Sequence, residues 1–277
     1  MIRVLSRATG LLLVTAVCAA CSAGGDGNNP PPTVYKYFAF VANRNSASVS
    51  AYTINATTGT LTAVPGSPFD AGSFPEGAAV DPAGKFAYVT NFGGGNVSAY
   101  AINATTGALT AVAGSPFATG DGPYSVAVDP SGKFAYMTNY NTWDVSAYTI
   151  NAATGSLTAV SGSPFGAGDS PVSVAIDPAG KFAYVTNYYS NNVSAYSINA
   201  TTGALTAVPG SPFGAGDHPC SVAVDPSGKF AYVTNSIDGN VSAYSINATT
   251  GTLTAVAGSP FPAGDRPRSV AVIRIKQ

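Results

Sequence analysis

Charge is what this 277-residue sequence has least of: only 9% of its residues are Asp, Glu, Lys or Arg, against about 25% in an ordinary soluble domain. The 12 basic and 13 acidic residues leave a net charge of -1. No basic surface capable of gripping a phosphate backbone can be built from that balance, so nucleic acid is excluded as a partner. Helical bundles are disfavoured too, because their exposed faces draw on Glu, Lys and Arg. The chain has one His, one Trp, one Glu (Glu76) and three Cys, which narrows the catalytic groups it could use. What it has instead is 31 Gly, 20 Pro, 13 Phe and 15 Tyr. That composition favours short strands joined by tight turns.

The N-terminus reads as a leader. Arg3 and Arg7 supply a positive start, Leu11 to Ala20 is an apolar run, and Ala19-Ala20 precede Cys21. A run of that length is too short to span a bilayer core of about 30 Å, so residues 1–20 are expected to be a signal peptide. The end of the leader resembles a bacterial lipobox with Cys21 as the lipidated residue, and Ser22 beside it is similar to the outer-membrane sorting default. The sequence therefore predicts a cell-envelope lipoprotein facing the periplasm or the cell surface, with secretion as the alternative. Its membrane contact is through the lipid alone. Residues 21–33, rich in Gly, Asn and Pro, read as a flexible linker. With Cys18 removed and Cys21 acylated, one cysteine, Cys220, is left, so no intramolecular disulfide framework is expected.

The rest is a repeat. Phe38, Phe86, Phe134, Phe182 and Phe230 recur every 48 residues, as do Asn43, Asn91, Asn139, Asn187 and Asn235. One copy runs from Ser173 through Asp177-Pro-Ala-Gly-Lys-Phe-Ala-Tyr-Val-Thr-Asn187, then Asn192-Val-Ser-Ala-Tyr to Gly203, Leu205-Thr-Ala-Val and Ser211-Pro-Phe213. The apolar runs are short, rich in Val, Tyr, Phe and Thr, and bounded by turn formers, giving four strands per unit. Between the first and second, Asp-Pro-x-Gly-Lys is a tight turn; between the third and fourth, Asn-Ala-Thr-Thr-Gly is another. The second strand is apolar on both faces, so each sheet must be sandwiched between neighbours, as propeller blades are.

An all-β fold follows: a five-bladed β-propeller of four-stranded antiparallel blades over residues 34–277. The first copy begins at its second strand, while Ser269 to Arg274 forms an extra first strand. The C-terminal strand is expected to join the N-terminal blade, built from 34–70 plus 266–277, and close the ring. The alternative is an incomplete ring that completes itself by association. A monomer is the expectation.

Tyr88-Val-Thr-Asn91, Tyr184-Val-Thr-Asn187 and Tyr232-Val-Thr-Asn235 each follow Asp-Pro-x-Gly-Lys-Phe-Ala and precede Asn-Val-Ser-Ala-Tyr. These residues resemble the YVTN-type propeller repeat and are similar to the lactonase family of seven-bladed propellers. That resemblance implies a propeller fold over nearly all of 34–277 and, for activity, hydrolysis of a sugar or acyl lactone of the 6-phosphogluconolactonase type.

Comparing the five copies separates two faces. The Asp-Pro and Asn-Ala-Thr-Thr-Gly turns share one face and scarcely vary. The opposite face varies: its loops begin at Arg44, Phe92, Tyr140, Tyr188 and Ser236, and a second series reads Phe74, Gly122, Ser170, His218 and Arg266. Variable loops on a uniform scaffold are a binding face, or else relaxed drift. Phe92, Tyr124, Tyr140, Trp143, Tyr188 and Tyr189, interleaved with Asn and Ser, suit stacking on a glycan or anchoring a protein ligand. Arg44, Glu76, His218, Arg266 and Arg268 are expected around the closing seam. His218 there could act as general base and the arginines could hold a carboxylate or phosphate. This looks like the His, Glu and Arg set associated with lactonase propellers. Asp121, Asp169, Asp217 and Asp265 recur on the same face, either capping turns or drawing a cation. No metal-spaced His pair, phosphate loop or serine elbow is present, so no metal and no cofactor are expected. Two functions follow: a non-catalytic envelope propeller binding a glycan or protein, or a lactone hydrolase.

Overall fold

The computed structural model describes residues 35–275. The signal peptide, the Cys21 lipidation site and the linker lie outside the described residues.

Each 48-residue unit folds as expected into an antiparallel sheet. Blade 1 holds β1 (Tyr37–Asn43), β2 (Ser48–Ile54), β3 (Leu61–Ala63) and β4 (Phe69–Asp70). Blade 2 holds β5 (Pro75–Val80), β6 (Phe86–Asn91), β7 (Asn96–Ile102), β8 (Leu109–Ala111) and β9 (Phe117–Ala118). Its order is β5-β6-β7-β8, with β9 also pairing β7, so the outermost strand comes in two pieces. Blades 3, 4 and 5 repeat this pattern. First strands of successive blades lie against one another, which places them innermost.

The invariant motif residues build this frame. Asp81 receives the Lys85 and Phe86 amides on Oδ1 at 2.6 and 2.7 Å, and the Ala83 amide on Oδ2 at 3.2 Å. Asn55 caps the other turn by accepting the Thr57 and Thr58 amides, both at 2.9 Å. Asn91 donates to Asn96 Oδ1 and Ser98 Oγ at 2.7 and 2.9 Å, while its own oxygen accepts the Gly72 amide at 3.0 Å. A Cβ at Gly72 would come within 2.6 Å of that Asn91 side chain, so glycine is needed there for space.

Blades join through one interface used four times. Phe86 and Tyr88 of blade 2 pack with Met137, Tyr148, Ile150 and Leu157 of blade 3. Tyr88 donates to Gly155 O at 3.1 Å, Tyr136 to Gly203 O at 2.9 Å and Tyr184 to Gly251 O at 3.0 Å. Burial in this layer pushes all three phenols well above the usual tyrosine range. Equivalent apolar clusters join blades 1 and 2, 3 and 4, and 4 and 5.

The expected closure does not form: no sheet of the described residues contains both termini. Residues 269–274 are not in a strand. Val270 N donates to Ser221 Oγ at 3.4 Å, copying the 3.2 Å bond from Val222 N to Ser173 Oγ one repeat earlier. The C-terminal segment thus lies beside blade 5, where the first strand of a sixth blade would sit. The reason is local: the contact from one inner strand to the next is set by the 48-residue register, and that register carries the segment past blade 5 rather than across to blade 1.

Candidate functional site

In blades 2 to 5 the loops of the variable face are tied together by a recurring backbone bond. Phe92 N donates to Phe74 O, Tyr140 N to Gly122 O, Tyr188 N to Ser170 O and Ser236 N to His218 O, all at 2.9 to 3.0 Å. The accepting residue has a positive φ each time, Phe74 at 51°, Gly122 at 67°, Ser170 at 55° and His218 at 57°, and Arg266, the equivalent position in the C-terminal segment, has a φ of 51°. Glycine adopts that conformation at no steric cost, whereas other residues are strained in it. Four of these five positions nevertheless carry a side chain.

These loops bring an aromatic row into contact. Phe92 meets Tyr124 and Tyr140 at centroid separations of 6.2 and 6.0 Å, and Tyr140 meets Tyr189 at 6.4 Å. His218 stands edge-on to Tyr188 and Tyr189, at 4.4 and 5.4 Å. Five of the six aromatic residues expected from the sequence therefore form one arc, spanning blades 2 to 4 and ending at blade 5. Trp143 is the exception. It is exposed, has a φ of 60° and makes no ring contact among the described residues. Burial first, and then the neighbouring Tyr189 hydroxyl, push the Tyr140 phenol up to about 12, so it is a neutral donor at physiological pH.

Charges sit at the two ends of the arc rather than at one seam. At the blade 1 end, Arg44 pairs with Glu76 and lies over the Phe74 and Phe92 rings, 5.2 and 5.6 Å from their centroids. At the other end, His218 Nδ1 is 2.6 Å from Asp217 Oδ1, and the His218 amide donates to Asn191 Oδ1 at 3.0 Å. Arg266 is exposed; Arg268 reaches Cys220, its guanidinium 4.0 Å from Sγ. The expected cluster is thus divided: Arg44 is occupied by Glu76, and His218 by Asp217. Without ring closure, nothing draws the blade 1 and blade 5 charges together.

The recurring aspartates are engaged locally. Asp121 accepts from Asn141 Nδ2 at 3.1 Å, Asp169 from Ser170 Oγ at 2.8 Å, and Asp217 faces His218. No three metal-ligating side chains converge among the described residues. The Asp217–His218 pair escaped the sequence reading, although the two are adjacent in the chain. The aspartates looked like a uniform series, and only blade 5 places a histidine after one. A cleft of about 350 Å³ between Asp81, Lys85, Ser131 and Ala152 lies on the opposite, invariant face. Its walls are turn residues whose polar atoms already serve the frame.

Radially arranged four-stranded antiparallel sheets, with variable loops on one face, define a β-propeller-type protein. Residues 75–271 match the family model described as Lactonase, 7-bladed beta-propeller, and the chain belongs to that family. Its fold is similar to a periplasmic gluconolactonase of Pseudomonas aeruginosa, with a TM-score of 0.69 and 19% identity over 83% of this chain and 68% of the other. It is also similar to a Bacteroides fragilis protein provisionally named a 6-phosphogluconolactonase, with a TM-score of 0.71 and 22% identity over 84% and 69%. A Lactobacillus plantarum protein scores 0.72 at 20% identity, over 84% and 70%. No protein of curated function matches the sequence.

Proposed function

We propose that this protein is a lactone hydrolase whose substrate ring lies along the aromatic arc, with His218 as general base. The observation that carries the reading is the Asp217–His218 pair at the end of that arc. A carboxylate on Nδ1 fixes the tautomer in which Nε2 accepts a proton. Nε2 would then take a proton from water as its oxygen attacks the lactone carbonyl, and return it to the ring oxygen as the acyl C–O bond breaks. Tyr140, held neutral, is available as a hydrogen-bond donor to a polar ring. Membership of the lactonase family supports this assignment.

The test is base uptake at constant pH over a panel of aldonolactones and acyl lactones. His218→Gln is expected to lower kcat at least about 100-fold, the scale of general-base contributions, with little change in KM. No turnover of any lactone by the unmodified protein removes the reading.

A second reading is favoured by the openness of the arc: Tyr189 is 55% exposed. In it, the face binds a glycan or protein without catalysis. Loss of retention on immobilised glycans in the Trp143→Ala/Tyr188→Ala double variant supports it; unchanged retention refutes it. Either function is proposed to operate in the envelope with the chain anchored at Cys21, which Cys21→Ala and metabolic labelling with a fatty-acid analogue would test.

A further inference from the structure

The two flanks of the blade array differ from the interfaces inside it. Inside the array, Leu109, Leu157, Leu205 and Leu253 are 6 to 7% exposed, because each inserts into the preceding blade. Their counterpart Leu61 is 54% exposed. Phe86, Phe134 and Phe182 are 4 to 6% exposed beneath the following blade, whereas Phe230 is 38% exposed. The polar contacts break off in the same way. Tyr100, Tyr196 and Tyr244 each donate to a carbonyl of the preceding blade at 2.6 Å, but Tyr52 makes no such bond. Tyr88, Tyr136 and Tyr184 reach a carbonyl of the following blade, but Tyr232 does not. Blade 1 therefore displays one half of the blade interface (Val41, Tyr52, Ile54, Leu61) and blade 5 the other half (Phe230, Tyr232, Val241, Val256). Backbone follows side chain: no described residue pairs with the inner edge of β1, and residues 269–274 lie beside blade 5, in the place of a first strand, with no described strand paired to them.

Two halves of one interface could meet each other, a second copy, or something that fits between them. The family model that the chain matches is seven-bladed, a spacing of about 51° per blade. Self-closure at five blades needs about 72°, so all four buried interfaces would have to rotate by roughly 20°, against interiors packed to crystal density. A second copy brings five blades to an opening two blades wide, and its third blade would collide with blade 1. We propose that the flanks form a binding site for a polypeptide of two further blades of this repeat, which pairs with residues 269–274 at one side and supplies the missing inner strand to β1 at the other. Such a partner buries both apolar flanks with contacts the chain already makes four times, and it removes both open sheet edges.

The probe is the polypeptide of residues 129–224, which contains two units running from a second strand through to a first strand. Mixed with the full chain, it is expected to form a 1:1 complex in native mass spectrometry. Leu61→Glu and Phe230→Glu should each weaken that complex at least about tenfold, as loss of a buried interface anchor does. Because the free probe has no partner for its own flanks, a covalent version accompanies it, with residues 129–224 appended after Val272. This fusion should melt at a higher temperature than the parent, and Leu61→Glu should lower its melting temperature more than the parent's. No complex together with an unchanged melting temperature in the fusion overturns the proposal. So does efficient cross-linking of cysteines placed at 61 and 230 within a monomer, or between two full-length copies, since either shows the flanks already covered.

Discussion

Two phenylalanines in the same motif position give a direct measure of how much the blade interface stabilises this protein. Phe134 is 4% exposed, with Gly203 of the next blade against its ring; Phe230 occupies the same place at the open flank and is 38% exposed. A buried aromatic ring of about 200 Å² is worth up to about 5 kcal/mol at about 25 cal/mol/Å², and Phe→Ala in a closed core costs roughly 3 to 5 kcal/mol with its cavity. Phe134→Ala should therefore lose about 4 kcal/mol. Phe230→Ala removes a ring that is partly wet and leaves no sealed cavity, so it should lose about 2 kcal/mol. Arrays with nearest-neighbour packing need not unfold in one step. The comparison is therefore best made by amide exchange in strands 134–139 and 230–235, alongside guanidinium denaturation. Equal losses would refute the reasoning, because they would mean that Phe230 is covered in solution.

Three other outcomes follow from the frame. Gly203→Ala should destabilise by about 2 to 3 kcal/mol, since its Cβ would sit 2.4 Å from Phe134 Cδ1 and its φ is +75°; thermal melting checks this. Burial alone would raise the Asp225 pKa, but the Ser227 hydroxyl and the Phe230, Ser227 and Lys229 amides outweigh it and hold the carboxyl below its usual value. A depressed folded pKa stabilises above the unfolded pKa and is lost as pH falls through the folded one. An acid titration of stability should therefore fall less steeply for Asp225→Asn than for the parent below about pH 4. Tyr136→Phe should cost about 1 to 3 kcal/mol, because it leaves the buried Gly203 carbonyl without its 2.9 Å donor.

The blades were legible in the sequence because their determinants are local. Asp81 bonds amides four and five residues on, and Asn91 bonds side chains five and seven residues on, so a 48-residue period printed five times shows the whole unit. Closure was not legible. The number of blades in a ring depends on the angle between neighbours, and that angle comes from how Phe86 and Tyr88 seat against Tyr148 and Leu157, a matter of shape that periodicity does not carry. The aromatic arc was readable as a set because its members share loop positions. Trp143 was misplaced among them, since it sits at a left-handed residue that Gly95 and Gly239 occupy in other blades. The charged residues were expected as one cluster at a seam because a closed ring was assumed.

The left-handed residues on the variable face separate stability from function. A non-glycine residue at positive φ costs about 1 to 2 kcal/mol, and glycine returns that strain less about 0.5 to 1 kcal/mol of chain entropy. Arg266, with a φ of 51° and an exposed side chain, isolates the backbone cost, so Arg266→Gly should stabilise by about 0.5 kcal/mol in thermal melts. His218→Gly relieves the same strain but removes the contacts to Asp217 and Tyr188. It should gain less stability than Arg266→Gly and abolish lactone turnover. If drift alone had chosen these residues, the two replacements would be equally harmless to activity. A chain that retains strained side chains at four of five equivalent positions is instead trading stability for what those side chains touch. Full activity in His218→Gly, or no stabilisation in Arg266→Gly, would break that link.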